Sequence, residues 1–195
     1  MINKNSIRES LLNRGKIFSK LEITKIINDY NKMSKECIND LIKYLSRQGY
    51  IKRIFAGIYY INSFDERERG FSNFEDKELV FMALNKLSVK WYVGLSSALY
   101  LKGKTWQTPN QLSIVNIRFS GVKKVNGLKI KFYKIKEDLI FGLKRAKTGN
   151  NVDYFYSDPA KTYIDKVYFG ETKRLIRVKN TINYLERYPK WVGKR

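Results

Sequence analysis

Residues 34–61 read SKECINDLIKYLSRQGYIKRIFAGIYYI, and the change of period inside this stretch decides the fold of the N-terminal third. Up to Gln48 the apolar residues Ile38, Leu41, Ile42 and Leu45 fall at i, i+3, i+4 and i+7, the buried stripe of one α-helix. Ser34 stands where a helix N-cap belongs and Gly49 where a helix stops. From Tyr50 the pattern becomes extended. Tyr50 to Phe55 and Ile58 to Ile61 predict two strands, with Ala56-Gly57 as the tight turn between them.

Upstream, Ser6 to Asn13 predicts a short helix with Ile7, Leu11 and Leu12 inward, stopped by Gly15. Ser19 followed by Glu22 matches a capping box. It opens a second helix whose inward residues are expected to be Leu21, Ile23, Ile26, Ile27 and Tyr30. Asn31 to Met33 predicts a turn. Three helices followed by a basic hairpin is the order of a winged helix-turn-helix.

Downstream, Asp65 to Glu78 is the one acidic stretch, and the domain boundary is expected there. Residues 1–64 carry a net charge of +7, residues 65–80 carry −3, and residues 81–195 carry +17 of the total +21. The reading is therefore a winged domain over 1–64, an acidic linker or start of a helix over 65–80, and a larger basic domain over 81–195. In the latter, helices are expected at about Asn73 to Leu87, Gly94 to Leu101, from Asp158-Pro159 onward, and at Glu171 to Arg187. Asp158 suits an N-cap and Pro159 the first helical position. Strands are expected at Trp91 to Val93, Gln111 to Phe119 and Leu128 to Ile135, with a hairpin of Phe141 to Lys147 and Val152 to Tyr156 around Gly149-Asn150. The fold class is α+β: an N-terminal winged helix-turn-helix followed by a larger mixed α/β domain.

Composition narrows the chemistry. A charge of +21 attracts polyanions: DNA, RNA, an anionic membrane or an acidic protein. Part of it also fits the Lys-, Ile- and Asn-rich usage of an AT-rich genome. There is no histidine and a single cysteine, Cys37, which leaves no His-based general base, triad or His metal ligand and no intrachain disulfide. Met1 to Ser10 is polar, unlike a signal peptide, and no apolar run is long enough to span a bilayer. A cytoplasmic protein with no membrane partner is expected. Gly-rich phosphate loops are missing, and no metal or other cofactor is expected.

In a helix-turn-helix the second helix of the motif enters the major groove. Here its outward face offers Lys35, Glu36, Asn39, Lys43 and Arg47. Lysine can read guanine acceptors or bind a phosphate, and Asn39 can pair in two places with adenine. Ser34 and the free N–H groups at the helix start suit a phosphate. Lys52 and Arg53 precede the hairpin turn, where a wing meets a phosphate or the minor groove. Of Tyr59 and Tyr60, one is expected in the core and one towards DNA. The plainer account of these residues is the solvated face of an amphipathic helix and a basic strand.

A second basic surface is expected from Lys123, Lys124, Lys129, Lys131, Lys144, Arg145, Lys173, Arg174 and Arg177, with one sheet face cationic through Lys129 and Lys131. It would take nucleic acid or an acidic partner; scattered solvated lysines are the plainer reading. Asp158, Asp165 and Glu171-Thr172-Lys173 contain the letters of a metal-dependent nuclease. That reading is set aside because Glu171 and Lys173 are expected to open a helix, where i and i+2 diverge. No catalytic residue is assigned.

Three stretches resemble the AbiEi family of antitoxins. Lys52 to Tyr60 is similar to its basic–x–x–x–Gly–x–Tyr wing. Tyr92-Val93-Gly94-Leu95-Ser96-Ser97-Ala98-Leu99 resembles its small-residue helix. Asp158 to Asp165 resembles its Pro–Glu–Arg–x–x–x–Asp segment, with Ala160-Lys161 in place of the acidic–basic pair. The resemblance runs from about residue 5 to residue 185. It implies an autoregulating repressor of a type IV toxin–antitoxin system in abortive infection. The N-terminal module would bind double-stranded DNA at its own promoter. The C-terminal domain would counter a nucleotidyltransferase-like toxin encoded nearby and support DNA binding. A protein-interaction or RNA-binding module with a basic docking domain stays open as the alternative.

Overall fold

The computed structural model describes residues 4–30 and 32–194. They form two compact units, the first ending at Ser88 and the second beginning at Val89. Helices and strands mix in both, so the chain is α+β.

The first unit runs α1 (Lys4–Arg14), β1 (Ile17–Ser19), α2 (Lys20–Tyr30), α3 (Lys35–Arg47), β2 (Ile51–Arg53), β3 (Ile58–Ile61), α4 (Phe64–Arg69) and α5 (Asp76–Lys86). Local chemistry sets the ends. Ser19 and Glu22 cap α2 reciprocally: the Ser19 N–H donates to the Glu22 carboxylate at 2.8 Å and the Glu22 N–H to Ser19 Oγ at 3.2 Å. Ser34 caps α3, its Oγ accepting from the Cys37 N–H. Ala56 and Gly57 take φ +50° and +76°, and the Ile58 N–H donates to the Phe55 carbonyl at 2.9 Å. That is the primed turn whose twist suits a hairpin. Of the predicted turn at Asn31 to Met33, Asn31 lies outside the described residues, as do Met1 to Asn3 of the polar start.

β3 is the middle strand of an antiparallel sheet ordered β1-β3-β2. One core holds Ile7 and Leu11 of α1, Ile23, Ile26 and Ile27 of α2, the four-residue stripe of α3, and Tyr59 and Ile61 of β3. Each such side chain removed from water contributes about 2 kcal/mol. Tyr60 turns the other way. Its hydroxyl donates to Glu66 of α4, and its ring meets Phe74 edge-on at 5.9 Å.

Three expectations change here. The acidic stretch, expected as a linker or the start of a helix, holds α4 and the start of α5, and the boundary expected there falls later, with the first unit extending through Ser88. Its carboxylates serve helix starts, with Ser63 and Glu66 forming a capping box and the Glu75 N–H donating to Glu78. Tyr59 and Tyr60 are both buried, because β3 is covered on both faces. Leu21 and Tyr30 are exposed: Leu21 sits roughly 200° around the helix from Ile23, and Tyr30 is the last residue of α2.

The second unit contains β4 (Trp91–Val93), α6 (Leu95–Leu101), β5 (Leu112–Asn116), β6 (Gly121–Val125), β7 (Leu128–Lys134), a 3-10 turn (Glu137–Leu139), β8 (Leu143–Lys147), β9 (Asp153–Ser157), α7 (Pro159–Tyr168), α8 (Thr181–Leu185) and α9 (Lys190–Gly193). Its six-stranded sheet is ordered β6-β7-β5-β4-β9-β8 and is mixed: β4 pairs parallel with β9 and antiparallel with β5. Tyr92, Leu95, Val115, Tyr133, Ile164 and Val167 build the core beneath α6 and α7. β6 was not expected; it joins β7 through Asn126-Gly127, both at positive φ. The single helix expected over Glu171 to Arg187 is also absent. Residues 171–180 are irregular, Asn180 is left-handed at φ +71°, and only five residues of α8 follow. Lys173 and Arg174 would each repel Arg177 at helical spacing.

Inside this core sits a buried polar cluster. Lys161 Nζ lies 2.6 Å from Asp165 Oδ1, with both side chains fully buried. Tyr92 donates to Asp165 Oδ2 at 2.7 Å and Tyr188 to Oδ1 at 2.6 Å. Lys161 also meets the rings of Tyr92, Phe141 and Tyr188. Burial pulls the Lys161 ammonium below its ordinary pKa, against the attraction of Asp165. Burial and Asp165 push the phenols of Tyr92 and Tyr188 up.

Candidate nucleic-acid interface

Lys35, Asn39, Lys43 and Arg47 follow one another at steps of four along α3, on the side away from its buried stripe. Steps of four keep residues on one face, drifting by about 40° each. Lys35, Lys43 and Arg47 are exposed, and Asn39 is half-buried. Ser34 Oγ already accepts the Cys37 N–H, and its hydroxyl proton is what it can give to a phosphate. Lys43 is less free than its sequence suggests. Asp40, one turn back, lies 3.0 Å from its ammonium, though both side chains are exposed and such a pair is weak.

The start of α3 faces α2 across a cleft of about 480 Å³, lined by Lys20, Leu21, Thr24, Asn28, Lys35 and Asn39 among others. Lys20, Thr24 and Asn28 stand at steps of four on α2 and were not singled out from the sequence. The available sign was Leu21, an apolar residue out of phase with Ile23, Ile26 and Ile27, and it is 65% exposed beside the cleft. The cleft thus presents two ammonium groups, two side-chain amides, a hydroxyl and the apolar side chains of Leu21, Met33 and Ile38. That set can contact phosphates, base edges and a thymine methyl.

The structure separates Lys52 and Arg53, the two residues expected at a wing. Arg53 stands opposite Tyr59 and Lys52 opposite Tyr60, so they occupy opposite faces of the sheet. Arg53, exposed, shares the face on which α3 packs. Lys52 shares the face of α4 and lines a separate pocket with Glu66, Arg67 and Phe71.

The nine residues expected to form a second basic surface are not gathered on one. Lys123, Lys124, Lys129 and Lys131 lie on the β6–β7 edge of the six-stranded sheet, and Lys144 and Arg145 lie on β8 at the opposite edge. Lys123 and Lys124, adjacent on β6, point to opposite faces. Arg145 is engaged by both oxygens of Asp153 at 3.0 Å. Lys131 is paired with Glu171 at 2.7 Å. Lys173, Arg174 and Arg177 are exposed in the irregular segment. Lysines suit edge strands because they deter edge-to-edge pairing. Beside β8, Lys102 lies 4.8 Å from the centre of the Tyr156 ring. Burial, then the Lys144 and Lys104 charges, lower its pKa. Lys102 and Lys104 therefore join Lys144 in a group the sequence reading did not form.

The nuclease-like letters are dispersed. Glu171 is not helical, so the reason first used against that reading does not hold. Its carboxylate instead accepts from Lys131 and Tyr133, while Asp165 is closed in the core and Asp158 caps α7. Among the described residues no three Asp, Glu or Cys side chains are grouped as for a metal ion, and no helix is long and apolar enough to cross a membrane. No family model matches the chain, and no curated protein matches it in sequence.

Proposed function

We propose that the first unit is a winged helix-turn-helix, with α2 and α3 as the motif and β2–β3 as the wing. The chain is then a sequence-specific DNA-binding repressor of the AbiEi antitoxin type. The observation that carries this reading is the row Lys35, Asn39, Lys43 and Arg47 along the exposed face of α3, continued by the cleft against α2. A helix fits the major groove, where Asn39 pairs with adenine and the lysines with guanine or phosphate. Lys20 and Arg53 flank that helix and hold the backbone. Autoregulation and a nucleotidyltransferase-like toxin as partner rest on the family resemblance.

The test is a gel shift with the DNA upstream of the protein's own gene, against a scrambled duplex of equal length and against structured RNA at moderate salt. Preference for the upstream duplex supports the reading. Equal affinity for the scrambled duplex, or tighter binding of RNA, overturns it. The toxin arm is tested by co-expression with the adjacent gene product, where rescue of growth is the expected result.

A further inference from the structure

β7 turns Lys129, Lys131 and Tyr133 to one face of the six-stranded sheet, because alternate residues of a strand share a face. The β6–β7 register adds Lys124, directly opposite Lys129. Like charges directly opposite each other destabilise a strand pair. Among the described residues no carboxylate stands within ion-pair distance of Lys124 or Lys129, and both are exposed. Lys131 differs. Its ammonium and the Tyr133 hydroxyl both donate to Glu171 Oε1, and the two bonds hold the Glu171 carboxyl below its ordinary pKa.

Of these groups, Lys129, Tyr133 and Glu171 border a cleft of about 500 Å³ in the second unit, within the size range of small-molecule sites. Lys166, the amides of Gln107, Asn110 and Gln111, and Leu95 and Leu99 of α6 line it too. Lys131 is set against Glu171, which Lys166 also attracts, and Lys129 is paired with no carboxylate among the described residues. Lys129 and Lys166 together offer positive charge to an anion. Glu171 is an acceptor only and can take hydroxyl donors beside Lys131 and Tyr133. The amides both donate and accept, which suits a heteroaromatic edge. The leucines offer an apolar surface for its ring.

The geometry points to a nucleoside phosphate as the ligand of this cleft. The phosphate lies between Lys129 and Lys166 and relieves the Lys124–Lys129 repulsion, Glu171 takes the ribose hydroxyls, and the 107–111 segment takes the base. An inorganic phosphate would meet the lysines and make no use of the amides and leucines of the cleft. The site lies wholly in the second unit and stands whatever the first unit binds.

The experiment is calorimetric titration and thermal denaturation of the full chain with the four nucleoside monophosphates. Adenosine and inorganic phosphate at matched ionic strength serve as controls. At least one nucleotide is expected to raise Tm and to bind more tightly than either control. Lys129→Ala and Lys166→Ala should each weaken that binding about tenfold, the worth of one charge-assisted hydrogen bond. Lys124→Ala should weaken it too, while raising Tm in the absence of ligand. Neither Lys129 nor Lys166 is buried, and Lys129→Gln serves if an alanine variant fails to fold. No response to any nucleotide, an equal response to inorganic phosphate, or undiminished binding by both lysine variants overturns the proposal.

Discussion

The Glu66 carboxylate, 1% exposed, accepts a hydrogen bond at 3.1 Å from Lys16, fifty residues earlier in the chain. The same carboxylate accepts from the Asn73 N–H at 2.8 Å, the Ser63 N–H at 2.7 Å and the Tyr60 hydroxyl. One side chain thus ties the segment before β1, the middle strand, the start of α4 and the loop before α5.

This knot predicts an acid-sensitive first unit. Burial pushes the Glu66 carboxyl up, but the bonds from Asn73, Ser63, Tyr60 and Lys16 outweigh it and hold the pKa at about 2, against an ordinary 4.5. A depressed folded-state pKa stabilises fully above the unfolded value, and the contribution is lost as pH falls from 4.5 towards 2. Glu66→Gln should cost about 2 kcal/mol at neutral pH and flatten the fall in Tm across that window. A variant with the wild-type pH profile would count against the assignment.

Lys161 and Asp165 form a buried pair, so removing one partner should cost more than removing both. Lys161→Met strands the Asp165 charge and is expected to lose about 3–5 kcal/mol. Adding Asp165→Leu to a Lys161→Met background should recover part of that loss. Urea midpoints of the two single variants and the double variant measure the coupling; strict additivity would deny it.

The proposed wing carries a directional prediction for the proposed DNA binding. Arg53 shares the sheet face of α3 and Lys52 does not. Arg53→Ala and Lys43→Ala should each lower the slope of log affinity against log salt by about 1. Lys52→Ala should leave it unchanged. Equal effects at the two wing positions would refute the assignment of faces.

Leu21 separates binding from stability. It is exposed on the α2–α3 cleft, so Leu21→Ser should change stability by less than about 0.5 kcal/mol while weakening duplex binding. Loss of stability with binding intact would place Leu21 in the core after all.

Lys124 and Lys129 face each other across the β6–β7 pair. Lys124→Thr should therefore raise stability, by about 0.2–1 kcal/mol. The gain should shrink at high salt, because both ammonium groups are exposed to screening.

Much of the first unit was legible in the sequence because its signals are local. The α3 stripe, the Ser19–Glu22 and Ser34 caps and the Ala56-Gly57 turn depend on residues within one turn of one another, and the structure has each of them. Gly121 to Val125, in the second unit, was not expected as a strand, although Asn126-Gly127 after it is a strong hairpin signal. What sequence could not reveal are relations over distance. Nothing near Glu66 announces that Tyr60, Lys16 and Asn73 converge on it, so an acidic run of helix starts resembled a linker. Nothing near Tyr60 announces a second layer over β3. Lys52 and Arg53 are neighbours in the chain, yet strand geometry sends them to opposite faces, and only the register against Tyr59 and Tyr60 says which face is which. The lysines of the C-terminal part could be counted from the sequence. Their division between the two edges of one sheet, and the meeting of Lys124 with Lys129 beside a polar cleft, follow from strand order, which long-range pairing alone decides.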